Sequence, residues 1–288
     1  MIALKDISYV RLGTRDLDGA CRYANDILGL REGQRYGPPR HGRAVGFRSD
    51  AREQTLVYFD GDPADHTTGF ELASMAELQA AAAELERLGH AVREGRADEC
   101  EQRRVQAFIG FNDPSGNAIE LAVSPFHSGV RFFPTRDTGN TGFSHVGLRS
   151  TDPARDERFW TTVLSAKVSD RIGAAPLLRI DEVHHKIALF PSGYAGVQHI
   201  NHQVASIDDL MRAWYLLQSR GIRVVFGPGK HPTSGAMFLY FEGPDGMVYE
   251  FSSGVRMVTD PDAPPRQFPF HPTSFCMWGS VPDIPEFR

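Results

Sequence analysis

A histidine, a tyrosine and a glutamate stand 9 and 10 residues apart in the stretch GKHPTSGAMFLYFEGPDGMVYE, residues 229–250. They are His231, Tyr240 and Glu250. Two short strands joined by the Pro244-Asp245-Gly246 turn would bring all three to one pocket. Glu250 follows the apolar pair Val248-Tyr249 and precedes Phe251. It is therefore a carboxylate on a strand that otherwise reads as core. Burying that charge is costly unless it is paired or holds a cation. Glu250 is thus a candidate metal ligand.

The elements that must position these residues emerge from an internal repeat. FNDPSGNAIELA (111–122) aligns with FEGPDGMVYEFS (241–252) at an offset of 130. RDLDGACRYANDILG (15–29) aligns with TDPARDERFWTTVLS (151–165) at 136, and MAELQAAAAELERLG (75–89) with IDDLMRAWYLLQSRG (207–221) at 132. Within each half two similar units follow one another. Each begins with a strand, continues with a helix opened by an Asp or Ser, and ends in short strands. In the second half the opening strands are expected at 142–149 and 201–206, with helices at about 153–164 and 207–219. Further strands are expected near 175–181, 185–190, 222–226, 236–242 and 247–252. The fold class is α+β: two tandem domains, each of two βαβββ modules forming a curled, barrel-like mixed sheet with helices outside. The expected divisions are an N-terminal domain over 1–123, a linker over 124–141, a C-terminal domain over 142–254, and a proline-rich tail over 255–288. The tail is expected to run extended over the surface or across a partner subunit, which points to a homo-oligomer.

Two histidines occupy matching places in the second half. His145 is in the opening strand of the third unit and His202 in that of the fourth. If the paired units form one curled sheet, His145, His202 and Glu250 face one concavity. Two imidazoles and a carboxylate with open positions are the ligand set of non-haem Fe(II) oxygenases. His199, three residues earlier, is the rival of His202. It is expected to precede the strand, so His202 is preferred. The repeat supplies an internal control: the counterparts of the three are Tyr9, Phe70 and Glu120. With two of three ligands replaced, the N-terminal half is expected to hold no catalytic metal. Glu120 then reads as a hydrogen-bonded relic.

At this point the chain resembles a known family, the type I extradiol ring-cleavage dioxygenases of the vicinal oxygen chelate superfamily. Their signature is matched here by Gly229-Lys-His231, seven residues, Leu239-Tyr240, then Gly243, Pro244-Asp-Gly246 and Glu250. Gly243 departs from the pattern, which usually has Asp, Glu, Asn, Thr or Ala in this turn. The motifs HVGL and HHKIAL agree, and the resemblance covers nearly the whole chain. It implies His145, His202 and Glu250 as ligands of Fe(II), with Mn(II) suited to the same set. It implies O2 as co-substrate and a substituted catechol as substrate. His185 would be the acid–base histidine, with His184 left as a surface residue. His231 and Tyr240 would hydrogen-bond a catechol oxygen. Rival readings are a metal-dependent glyoxalase or epimerase of the same superfamily and a non-catalytic binding protein of that fold.

Composition narrows the partners. The net charge is -5 and no long basic run is present, which argues against nucleic acid. No apolar run is long enough to span a membrane. Cys21, Cys100 and Cys276 are an odd number without zinc or disulfide spacing, as suits a reducing cytoplasm. The start MIALKDISYV lacks the pattern of a signal peptide. Asp170 and Arg171 read as surface residues.

Overall fold

The computed structural model describes residues 1–36 and 42–288, with side chains described to 33 and from 42. Four modules follow one another. The first is β1 (Asp6–Thr14), α1 (Leu17–Asp26), β2 (Arg31–Tyr36), β3 (Ala44–Arg48) and β4 (Leu56–Asp60). The second is β5 (His66–Leu72), α2 (Met75–Arg87), β6 (Arg93–Glu94), an extra helix α3 (Ala97–Arg103), β7 (Ala107–Asn112) and β8 (Ala118–Val123). The third is β9 (Asn140–Ser150), α4 (Pro153–Thr162), β10 (Lys167–Ile172), β11 (Ala175–Arg179) and β12 (Ile187–Pro191). The fourth is β13 (Gly196–Val204), α5 (Ile207–Ser219), β14 (Val224–Lys230), β15 (Met237–Glu242) and β16 (Val248–Ser253). The tail adds β17 (Arg266–Phe268) and α6 (Pro272–Phe275).

Each half is one mixed sheet. The strand order is β2-β3-β4-β1-β5-β8-β7-β6 in the first and β14-β15-β16-β13-β9-β12-β11-β10-β17 in the second. The opening strands of two modules pair antiparallel at the centre, β1 with β5 and β9 with β13. The repeat reaches down to the caps. Asp16 and Asp152 accept hydrogen bonds from the Gly19 and Arg155 amides. Ser74 and Ser206 do the same for Glu77 and Asp209. Each satisfies an amide that the first helical turn leaves without a partner. The closing turns match as well: Gly116 and Gly246 take φ of 97° and 77°, where a Cβ would be strained.

The halves pack through crossed modules. The hydroxyls of Tyr58 and Tyr249 hydrogen-bond between the first and fourth modules, and Tyr23 donates to the Glu242 carbonyl at 2.7 Å. Phe70 of the second module meets Trp160 of the third edge-on at 5.4 Å. A continuous apolar core runs under the helices of both halves. A second cluster lies on the other face of the C-terminal sheet. It contains Leu177, Ala188, Phe190, Phe226, Phe238 and Tyr240.

Two expectations need correction here. The tail is not a surface wrapping: β17 pairs in parallel with β10, and Phe275, Cys276, Ile284 and Phe287 complete the second cluster. Strand β13 begins at Gly196, five residues before its expected start.

Candidate metal centre

Strand alternation decides what reaches the inner face of the C-terminal sheet. On β9, Val146 and Leu148 belong to the helix-covered core, which leaves His145 and Gly147 on the other side. On β16, Tyr249 and Phe251 take the core side and Glu250 the inner one. Between these strands lies β13, paired with both. It contributes His199. A Cβ at position 147 would stand 2.3 Å from His199 Nδ1, so Gly147 is the residue that admits this ring.

Three adjacent strands thus supply one ligand atom each. His145 Nε2 lies 2.9 Å from Glu250 Oε2 and 3.0 Å from His199 Nε2. His199 Nε2 is 3.4 Å from the same Glu250 oxygen. All three residues are buried, and they form a group able to hold a metal ion. Ligand atoms about 2.1 Å from one ion and at right angles to each other lie about 3 Å apart, so the triangle fits a small divalent cation. Among the described residues Glu250 Oε2 has no hydrogen-bond partner, and His145 Nε2 and His199 Nε2 lie within hydrogen-bond range of each other. Gln198 Oε1 accepts from His199 Nδ1, which leaves Nε2 as the bare, ligating nitrogen.

Electrostatics agree. Burial lowers His145 to about 4, so its ring is neutral at pH 7. Burial pushes the Glu250 carboxyl up, but the neighbouring His145, His199 and His231 outweigh it and hold it well below the usual range. Among the described residues the ion-pair partners of Glu250 are histidines: His145, His199 and His231.

His202 is not in this group. It lies on the opposite face of β13, in the series Ile200, His202, Val204, with its ring 6.0 Å from Phe143. Its repeat counterpart Phe70 is a core residue, completely buried. The alignment of the two positions holds, but the position faces the core. That alternation of Ile200, His202 and Val204 is the signal in the sequence that distinguishes His202 from His199.

The other site residues do gather. His185 packs its ring 4.3 Å from that of His145. Tyr240 sits opposite Glu250 across β15 and β16, and its hydroxyl is 3.3 Å from His231 Nε2. His231 Nδ1 donates to the Phe275 carbonyl at 2.7 Å, which leaves Nε2 to accept from the tyrosine. Burial and Glu250 raise the Tyr240 phenol well above its ordinary value, so it keeps its proton. His184 is no surface residue: it is fully buried and bonded to Asp170, itself fully buried. Both His184 and His185 precede β12, so strand alternation does not set which way either one faces.

The N-terminal half answers the same charge differently. Glu120 accepts from Tyr9 at 2.7 Å and from both Arg103 nitrogens at 2.6 Å. A guanidinium stands where the other half gathers histidines.

Comparison with known proteins shows what the chain is similar to. An iron-dependent extradiol dioxygenase of Rhodococcus jostii (strain RHA1) is 27% identical over 308 residues, covering 96% of this chain and 97% of that one. The fold superposes on a halotolerant catechol dioxygenase with a TM-score of 0.88 at 21% identity, covering 100% and 98% of the two chains. It also superposes on the Mn(II)-bound glyoxalase from Novosphingobium aromaticivorans with a TM-score of 0.86 at 24% identity, covering 100% and 94%. Residues 6–121 and 142–251 each match one family, so the repeat is a repeat of its domain. The chain belongs to the Glyoxalase/Bleomycin resistance protein/Dioxygenase superfamily.

Proposed function

We propose that this protein is an Fe(II)-dependent extradiol dioxygenase that opens the ring of a substituted catechol with O2, in the catabolism of aromatic compounds. The observation that carries the reading is the triangle of His145, His199 and Glu250, two imidazoles and a carboxylate, which is the donor set of non-haem Fe(II) oxygenases. Fe(II) held there would supply adjacent positions for catechol and dioxygen and the electrons that link them; Mn(II) suits the same donors. His185, beside His145, would exchange a proton with the reacting oxygens. Tyr240 would turn its phenol proton from His231 Nε2 to a catechol oxygen, with His231 holding the phenol in place until then.

The substrate is an uncharged catechol with an apolar substituent. Phe190 and Tyr240 pack against His199, and Phe226 and Phe287 pack against Tyr240. The cations nearby are engaged elsewhere. Arg149 binds Glu286 and the Val197 carbonyl, Arg179 binds the Val168 and Pro261 carbonyls, and Lys186 binds Asp6 and Asp181. A homo-oligomer belongs to the same reading, with Met277, Trp278 and Val281 of the tail exposed for subunit contacts. So does the cytoplasm, since Cys100 and Cys276 are free thiols.

Anaerobic loading with Fe(II), followed by oxygen uptake and visible absorbance with a panel of catechols, tests the reading. One O2 consumed per ring and a yellow hydroxymuconic-semialdehyde-type product are expected, fastest with aryl- or alkyl-substituted catechols. Metal binding without turnover of any catechol would sink it. Isomerisation of a thiol–ketoaldehyde adduct by the Mn(II) form would then favour a glyoxalase.

A further inference from the structure

Asp170 and His184 have no part in the reading so far, yet both side chains are completely buried. They form a chain that ends on the proposed acid–base residue. Asp170 Oδ2 is 2.7 Å from His184 Nε2, and His184 Nδ1 is 3.0 Å from His185 Nδ1. The two imidazoles meet at 89°, so one ring presents its edge to the other. Asp170 is anchored in turn by the tail. Arg266 of β17 donates to both of its oxygens, at 2.9 and 2.7 Å, and to the Thr233 carbonyl at 2.6 Å.

The direction of each proton follows from what each atom can do. An ionised carboxylate only accepts, so His184 Nε2 must carry hydrogen. In a neutral imidazole the other nitrogen is then bare and only accepts. His185 must therefore donate from Nδ1, and its Nε2 is left without hydrogen. We propose that Asp170 and His184 are a positioning pair that fixes the ring and tautomer of His185, so that it presents Nε2 as a proton acceptor. Arg266 is the anchor of the pair.

This rests on the reading of His185 as the acid–base residue. It adds an order of events: His185 receives a proton from a catechol hydroxyl before it has one to give. The proton leaves the catechol oxygen, resides on Nε2, and passes to an oxygen released in ring opening. His185 returns unchanged. The electrostatics of the pair are consistent with it. His184 is lowered by burial, and Asp170 is held low by His184 and Arg266 against its own burial.

The test reads the tautomers directly. In the full-length, metal-free protein labelled with 15N-histidine, long-range 1H–15N correlation is expected to show hydrogen on Nε2 of His184 and on Nδ1 of His185. Hydrogen on His185 Nε2 would overturn the proposal, whether or not the protein cleaves catechols. Kinetics of the iron-loaded protein give the second readout. His184→Leu is expected to lower kcat about 100-fold at unchanged KM and iron content, within the range of acid–base contributions. His184→Gln, whose carbonyl oxygen can still accept from His185 Nδ1, is expected to recover most of that loss. Wild-type kcat in a folded, iron-containing His184→Leu protein would overturn the proposal. If that variant does not fold, the wild-type tautomers alone decide. Wild-type protein without catechol turnover but with the stated tautomers would sink the dioxygenase reading and leave the positioning pair standing.

Discussion

Removing one ligand atom should empty the metal centre, and the choice between two histidines makes that a sharp experiment. His145→Ala, His199→Ala and Glu250→Ala are expected to lose bound iron and all turnover, whereas His202→Leu keeps both; metal analysis of the four proteins checks this. His202 also sets a pH dependence. Burial lowers it from 6.5 to about 4. Between those values the unfolded chain takes a proton that the folded chain refuses, so stability falls as pH falls from 6.5 to 4 and is flat on either side. From pH 7 to 5 this one group costs about 2 kcal/mol. His202→Leu is expected to remove that share of the acid loss in urea titrations of the metal-free protein, and an unchanged pH profile would refute it. Among the described residues neither ring nitrogen of His202 has a hydrogen-bond partner, so the substitution should not destabilise at pH 7. These residues also mark what was legible beforehand. The repeat located His145 and Glu250 because their strands align at fixed offsets. It could not separate His199 from His202, since that depends on where β13 starts and which face each residue takes. Asp170 and His184 were hidden for a different reason. A polar pair buried by tertiary packing looks like surface in a sequence.

At the level of elements, the helices were the most readable. The Asp and Ser caps and the apolar spacing place α5 over Ile207–Ser219 at its expected limits. Strand β10, KVSDRI, gave no such signal, because its charged residues are neutralised by distant partners: Asp170 by Arg266, and Arg171 by Glu157. The tail was unreadable in the same way. Its seven prolines suggested an extended path, but Phe287 packs against Phe190, Phe226, Tyr240 and Phe275. Phe287→Ala is expected to lower stability by about 3 kcal/mol with iron content unchanged. A shift in the unfolding midpoint checks it, and a wild-type midpoint would mean the tail contributes little to this core.

For the molecule as a whole, duplication has produced two solutions to one buried carboxylate. Iron should bind at one equivalent per chain, in the second half only. Arg103→Ala takes the bidentate cation from buried Glu120 and leaves it Tyr9 and the more distant Arg93, at an expected cost of about 3 kcal/mol. The double variant with Glu120→Ala should recover part of that loss, because no charge is then stranded. Neither change should alter iron content in the protein that folds, and calorimetry beside metal analysis would show it. The crossed contacts of Tyr58 with Tyr249 and Phe70 with Trp160 tie the halves together, so one unfolding transition is expected.

The arginine in the first half also bears on how the protein is made. The N-terminal half leaves the ribosome first, and domains fold as they emerge. Its acidic residue brings a counter-charge on the same polypeptide, at Arg103. That half can close without waiting for an ion whose supply the cell does not guarantee. Among the described residues the candidate metal ligands lie in the later half. Scarcity of iron would then leave nascent chains with a finished first domain as a platform for the second.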